Sequence, residues 1–209
     1  MSIGRIGQFA VIGATVLLVA CDAGRRDEVA RDEATAVGTA GVHAGDRDFV
    51  DESLSAGTAE VELGRIAQQR AADAEVKQFA EMMVRDHTQA ADSLTQISQQ
   101  HAIQTRSAMQ EHHRDLMERL SKVQGADFDR EYMDAMVDGH ENMVDHLQTR
   151  ASEDRFGENK GTVRPEGSDN PVEASLNQWA ANALPTTRRH LEEARRISDR
   201  LSRAPARRQ

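Results

Sequence analysis

Four ionisable side chains interrupt apolar stripes that otherwise have the spacing of amphipathic helices. They are one carboxylate and three imidazoles: Glu60, His87, His140 and His190. The apolar positions around them are, in chain order, Phe49, Ala56, Leu63 and Ala67; Val76, Ala80, Met83, Ala90, Leu94 and Ile97; Met133, Met136, Met143 and Leu147; and Leu176, Ala180, Ala183, Ala194 and Ile197. Imidazole nitrogens with a carboxylate oxygen suit an ion of iron, manganese, zinc or copper. The sequence therefore predicts one transition-metal site, provided that the helices bring these side chains together in the core.

Further carboxylates lie within about one helical turn of the same stripes. They are Asp86, Asp134, Glu141 and Glu193. We interpret them as additional metal ligands or as hydrogen-bond partners that orient a histidine ring.

Methionines flank the histidines and allow two interpretations. They are Met83, Met133, Met136 and Met143. Thioethers beside imidazoles form a soft ligand set that suits copper, but methionine is also the usual filler of irregular cores.

An ordinary di-iron centre is not indicated. That centre takes a Glu three residues before a His on two helices, whereas those positions hold Val84, Val137 and Thr187 here. The sequence also lacks a Gly-rich phosphate loop, a Ser-His-Asp set in a supporting context and a paired-Cys metal motif. We therefore expect neither a ferroxidase of the usual type nor a hydrolase, and no catalytic residue is identified.

A buried hydrogen-bond network is the alternative to a metal site. Glu60 could accept hydrogen bonds from the histidines, with Asp86 or Tyr132 completing the set. Such a network is stable in a core only if every member has a partner. The chain would then be a non-catalytic interaction or structural module whose cluster only fixes the helix packing.

The helices that carry these residues follow from composition and periodicity. Aromatic residues make up 3% of the chain and Pro occurs 4 times, which favours an all-α fold. We predict helices at about 48–71, 74–101, 109–123, 128–151 and 172–202, with Asp73 and Asp127 as N-caps and Gly125 as a stop. Gly57 and Gly64 are expected to allow close approach of a neighbouring helix, and residues 152–171 are expected to form a long polar loop.

Four separated motifs resemble a bacterial envelope family known as domain of unknown function 4142, which is grouped with the ferritin-like proteins. They are Phe49-Val50 with Ala59-Glu60-Val61-Glu62-Leu63-Gly64; Met83-Val84-Arg85-Asp86-His87; Tyr132-Met133-Asp134-Ala135-Met136-Val137 with His140; and Leu184-Pro185 with His190-Leu191. The resemblance covers about residues 48–201, and only the loop 152–171 looks longer than is usual. It implies a ferritin-like up-down-down-up four-helix bundle with an additional crossover helix between the second and third helices, but no established activity.

The first residues have the pattern of a bacterial lipoprotein signal. Arg5 precedes an apolar run at 9–20, which is too short to span a bilayer. The run ends in Leu18-Val19-Ala20-Cys21, which resembles a lipobox and predicts lipidation of Cys21, the only cysteine. We therefore divide the chain into a signal peptide (1–20), a lipid-anchored flexible tether (21–46), a helical bundle (47–202) and a basic tail (203–209).

The net charge limits the partners. At −9, the chain lacks the clustered positive charge that nucleic acid requires. The membrane is expected as a partner only through the lipid on Cys21, with the bundle facing the periplasm and its protein partners unknown. The sequence thus predicts an exported, lipid-anchored helical bundle that binds a metal ion in its core, with a role in envelope metal or oxidative stress.

Overall fold

The computed structural model describes residues 41–106, 109–151 and 168–203. Every regular element within these ranges is an α-helix, as the composition predicts. The elements are α1 (Ala44–Arg70), α2 (Ala74–Gln100), α3 (Glu111–Ser121), α4 (Gly125–Ala151) and α5 (Pro171–Arg203). The predicted signal peptide, Cys21, most of the tether and most of the loop 152–171 lie outside the described residues.

Helix α1 begins at Ala44, four residues before the predicted start. The Asp46 carboxylate accepts a hydrogen bond from the His43 backbone N–H at 2.8 Å and another from Arg150 on α4 at 2.7 Å. The predicted tether boundary at residue 46 was therefore wrong, because this segment carries a helix start that polar contacts hold in place. Its sequence has no apolar stripe to reveal it.

Carboxylates fix the connection from α1 to α2. Asp73 is the N-cap of α2, as predicted, and accepts from the backbone N–H groups of Glu75 and Val76 at 2.9 and 3.3 Å. Asp129 on α4 accepts from the N–H groups of Ala72 and Asp73 at 3.0 and 2.9 Å. Since Asp129 is 2% exposed, it ties this turn to the body of the bundle.

The predicted cap at Asp127 was wrong. Helix α4 begins at Gly125, whose φ of +61° allows the chain to turn directly from the end of α3 into α4. Asp127 lies in the first turn of α4 and pairs with Arg130 instead.

Only one of the two predicted glycine contacts occurs. A Cβ at Gly64 would lie 2.9 Å from Val84 Cγ2 and 3.0 Å from the Ala80 carbonyl oxygen, so α1 and α2 are in close contact there. A Cβ at Gly57 would meet nothing within 4 Å among the described residues, and the prediction for that position was wrong.

The long helices share two apolar clusters. The first cluster contains Leu63, Ala67, Phe79, Met83, Phe128, Tyr132, Met136, Ala194 and Ile197, among others. The second contains Phe49, Val50, Leu94, Leu147, Leu176, Ala180 and Leu184, among others. Helix α1 packs along α2 and α4 along α5, while the short helix α3 packs against α1 and α4. On every long helix, a short segment separates its residues in one cluster from those in the other.

Helix α5 is one residue longer at each end than the predicted helix at 172–202. Pro171, placed in the loop, is its first residue, a position at which the missing N–H is not needed. Arg203, placed in the tail, is its last residue, and Pro185 lies inside the helix. No helix within the described residues is long and apolar enough to cross a membrane.

Candidate metal centre

The four predicted ligands occupy the segments between the two apolar clusters. Glu60 on α1 precedes Leu63 and follows Val50, and the histidines of α2, α4 and α5 are placed in the same way. The ring centroids of His87, His140 and His190 are 5.4–5.5 Å apart in every pair. The prediction that separate helices bring these side chains to one level of the core agrees with this geometry.

The ring nitrogens are close enough to share an ion. One nitrogen from each of His87, His140 and His190 lies within 4.8 Å of the other two. Two nitrogens bound to one tetrahedral ion, at about 2.0–2.1 Å from it, are about 3.4 Å apart. The histidines therefore need only a small inward movement to bind the same ion.

Glu60 faces two of the histidines. Its Oε2 atom lies 2.6 Å from His87 Nε2, although the two groups are not aligned as a hydrogen bond, and its Oε1 atom lies 3.6 Å from His140 Nδ1. A Cβ at Gly139 on α4 would lie 3.5 Å from Oε1, so this glycine leaves room beside the carboxylate. The result is a carboxylate at the side of a triangle of imidazoles.

The centre is buried unevenly. His140 is 0% exposed and His190 1%, while Glu60 is 7% exposed and His87 is only partly buried. A small part of the surface on the α1–α2 side of the centre thus remains accessible to solvent.

The Glu60 carboxylate and the His87 ring shift each other's pKa. Burial raises the pKa of Glu60, but the imidazoles of His140, His87 and His190 outweigh burial and lower that pKa to about 2. Burial lowers the pKa of His87, yet the adjacent Glu60 carboxylate raises it above its ordinary value. The centre therefore holds an ionised Glu60 carboxylate that favours the protonated form of the adjacent His87.

The other two histidines are neutral. Burial is the main cause that lowers the pKa of His140, and the charge of His87 adds to it. Burial also lowers the pKa of His190 to about 4, against the opposing effect of its hydrogen bond to Asp86. Neutral imidazole is the form that binds a metal ion.

Several buried polar atoms of the centre have no hydrogen-bond partner among the described residues. They are His140 Nε2, His190 Nδ1 and the Tyr132 hydroxyl; Glu60 Oε2 and His87 Nε2 also lack an aligned hydrogen bond but lie 2.6 Å from each other as an ion pair. A closed structural network requires the opposite, because each unpartnered buried group costs about 1–3 kcal/mol. The two open ring nitrogens, which a metal ion would satisfy, favour a metal site over a closed hydrogen-bond network.

Of the four additional carboxylates, only Asp86 contacts a histidine. Its Oδ2 atom lies 3.0 Å from His190 Nε2. The other three face outward and pair elsewhere, so their predicted role at the centre was wrong: Asp134 accepts from Ser198, Glu141 pairs with Arg195, and Glu193 pairs with Arg196. One turn of helix places a residue beside a stripe without fixing the direction of its side chain.

Two contacts around the histidines, one to His140 and one to the Asp86 carboxylate that bonds His190, gave no signal in the sequence. The Met136 carbonyl oxygen lies 2.8 Å from His140 Nδ1, and backbone groups carry no sequence pattern. Arg85 Nε lies 2.7 Å from Asp86 Oδ1, on the outer side of that carboxylate.

The four methionines belong to the apolar packing, and four other histidines have contacts outside the triangle. Met83, Met133 and Met136 belong to the first apolar cluster, and Met143 packs against the second. His101 bonds Ser175, His113 bonds Ser55, His146 bonds Ser53, and His112 is exposed beside His113.

The comparisons with known proteins give a family and nothing more specific. The family model "Domain of unknown function (DUF4142)" matches residues 31–160, which are more than half of the chain. The match includes Glu60, His87 and His140, whereas His190 lies beyond it. No curated protein and no solved structure matches the chain. On the strength of the family match, the chain belongs to the domain of unknown function 4142 family.

Proposed function

We propose that the protein binds one transition-metal ion through His87, His140, His190 and Glu60. The observation that carries the proposal is the triangle of ring nitrogens within 4.8 Å of one another. Buried nitrogens without partners on two of these rings support it, since a metal ion would satisfy both.

The donor set selects a class of metal. Three imidazoles and one carboxylate favour zinc, iron, copper or manganese over magnesium and calcium, which prefer all-oxygen sites. Glu60 is already ionised and needs no proton removed, whereas the Glu60 carboxylate raises the pKa of His87, so that a proton competes with the metal ion at this ring. A role in envelope metal or oxidative stress is consistent with such a site.

We extend the proposal to the architecture. The order of the two apolar clusters along the chain runs from the second to the first on α1 and α5, and from the first to the second on α2 and α4. That order supports an up-down-down-up bundle with α3 as the crossover helix, which is the ferritin-like connectivity. Sites in such bundles are formed in the core by side chains from facing helices.

We also propose that a lipid on Cys21 anchors the protein to the membrane, with the bundle facing the periplasm. The support is the apolar run at 9–20 followed by Leu18-Val19-Ala20-Cys21. Expression with a radiolabelled fatty acid tests it: label is expected on the wild-type chain and not on Cys21→Ser. Equal labelling of both chains would contradict the anchor.

Metal titration against a competing chelator tests the site itself. We expect the untagged wild-type protein to bind one equivalent of Zn²⁺ or Co²⁺, and a His87→Ala/His140→Ala variant to lose that binding while remaining helical. A His101→Ala/His146→Ala variant is the matched control, because both histidines bond serines at the rim. Equal metal binding by the two double variants would contradict the proposed ligands.

A further inference from the structure

Two histidines of the triangle have their outer nitrogens held by different acceptors. His140 Nδ1 lies 2.8 Å from the Met136 carbonyl oxygen, which can only accept, so Nδ1 carries the proton. His190 Nε2 lies 3.0 Å from the Asp86 carboxylate, so Nε2 carries the proton there. The remaining nitrogens, His140 Nε2 and His190 Nδ1, are buried without partners.

The Asp86 carboxylate is itself held from outside. Its Oδ1 atom accepts from Arg85 Nε at 2.7 Å, which leaves Oδ2 for His190. Arg85 is exposed, while the Asp86 side chain is 17% exposed. The carboxylate therefore connects a surface guanidinium to a buried ring.

From these contacts we infer that Asp86 is a positioning residue that fixes His190 as the Nε2–H tautomer, so that Nδ1 is the nitrogen offered to the metal ion. The inference rests on the proposed metal site and deepens it: the ion would be bound by Nε2 of His140 and by Nδ1 of His190. Ligating histidines commonly donate their second ring N–H to a carboxylate or carbonyl, which fixes the ring orientation and raises its basicity. Asp86 and the Met136 carbonyl supply one acceptor of each kind.

The tautomers can be measured without any metal. Long-range ¹H–¹⁵N correlation spectra of the metal-free protein distinguish a protonated from an unprotonated ring nitrogen. We expect Nε2–H at His190 and Nδ1–H at His140 in the wild type. In Asp86→Ala, His190 is expected to lose its preference for the Nε2–H tautomer. His140 should keep Nδ1–H, since its acceptor is a backbone carbonyl.

Metal affinity supplies a second readout. Loss of a hydrogen-bond partner of a ligand typically lowers affinity about 10–100-fold, and we expect that loss of Zn²⁺ affinity for Asp86→Ala. Asp86→Asn, whose amide oxygen still accepts from Nε2–H, should keep the tautomer and recover part of the affinity. Glu193→Ala is the matched control, because this carboxylate lies three residues from His190 and pairs with Arg196 instead.

The outcomes separate this inference from the metal site. If the wild type binds no metal, the proposed function fails, while the tautomer spectra still report on Asp86. If the wild type binds metal but Asp86→Ala keeps the same His190 tautomer and the same affinity, the role of Asp86 is refuted. An Nδ1–H tautomer at His190 in the wild type would also overturn it.

Discussion

Replacement of His140 by Leu separates a metal site from a structural network by the sign of its effect on stability. In the metal-free protein, His140 is 0% exposed and its Nε2 has no partner among the described residues. An unpartnered buried group costs about 1–3 kcal/mol, and the hydrogen bond from Nδ1 that the substitution also removes contributes about 1 kcal/mol. Leu is similar in size and adds apolar contact in the same position. We therefore expect a net gain of about 1 kcal/mol in the free energy of unfolding.

Calorimetry with a chelator present measures this effect. A gain of about 1 kcal/mol corresponds to a Tm increase of roughly 2–4 °C for a domain of this size. With excess Zn²⁺ the order should reverse, because only the wild type gains the free energy of metal binding. His101→Leu is the matched control: its Nε2 is 2.9 Å from Ser175 Oγ, so no gain is expected there. Destabilisation of metal-free His140→Leu by more than about 2 kcal/mol would show that the cluster is a satisfied network, and would refute the reasoning.

Three further predictions concern pH and the helix contacts that support the centre. Because the pKa of His190 falls from 6.5 to about 4 on folding, the native state binds this proton less readily than the unfolded state. With a chelator present, lowering the pH from 6.5 to 4 should thus lower the contribution of His190 to the free energy of unfolding by about 3 kcal/mol. Chemical denaturation should show a weaker dependence of the free energy of unfolding on pH for His190→Leu than for the wild type. Asp129→Ala leaves two backbone N–H groups of the α1–α2 turn without their acceptor and should cost about 3 kcal/mol in urea unfolding, whereas the control Asp127→Ala should change little. Gly64→Ala forces a Cβ to within 3.0 Å of α2 and should lower the Tm. Gly57→Ala meets no neighbour in the described part of the chain and should raise the free energy of unfolding by up to about 1 kcal/mol. Equal effects of the two substitutions would contradict the close contact between α1 and α2 at Gly64.

The long-range features of the centre could be predicted because they repeat along the chain. Each of His87, His140 and His190 replaces an apolar residue in a stripe, and a stripe must face the core. Once each stripe is buried, the only remaining variable is the height of each residue along its helix. All three histidines lie towards the middle of their predicted helices, at 74–101, 128–151 and 172–202, which is consistent with a common height.

The partners around the centre were harder to predict because they depend on side-chain direction. Asp86 and Glu193 have similar positions relative to a stripe, yet Asp86 bonds His190 and Glu193 pairs with Arg196. The start of α1 shows the same limit: Asp46 belongs to a segment without periodicity, and its contact with Arg150 joins residues far apart in the sequence. Such contacts exist only after the helices have packed.

Metal analysis of the untagged protein, isolated from cells supplied with iron, manganese, zinc and copper, tests the central claim most directly. We expect about one transition-metal ion per chain, with X-ray absorption showing imidazole nitrogen in its coordination sphere. The His87→Ala/His140→Ala variant should contain none while keeping its helical content. A wild-type protein that stays metal-free under every supply, or an ion without histidine ligands, would contradict the site built from Glu60 and the three histidines.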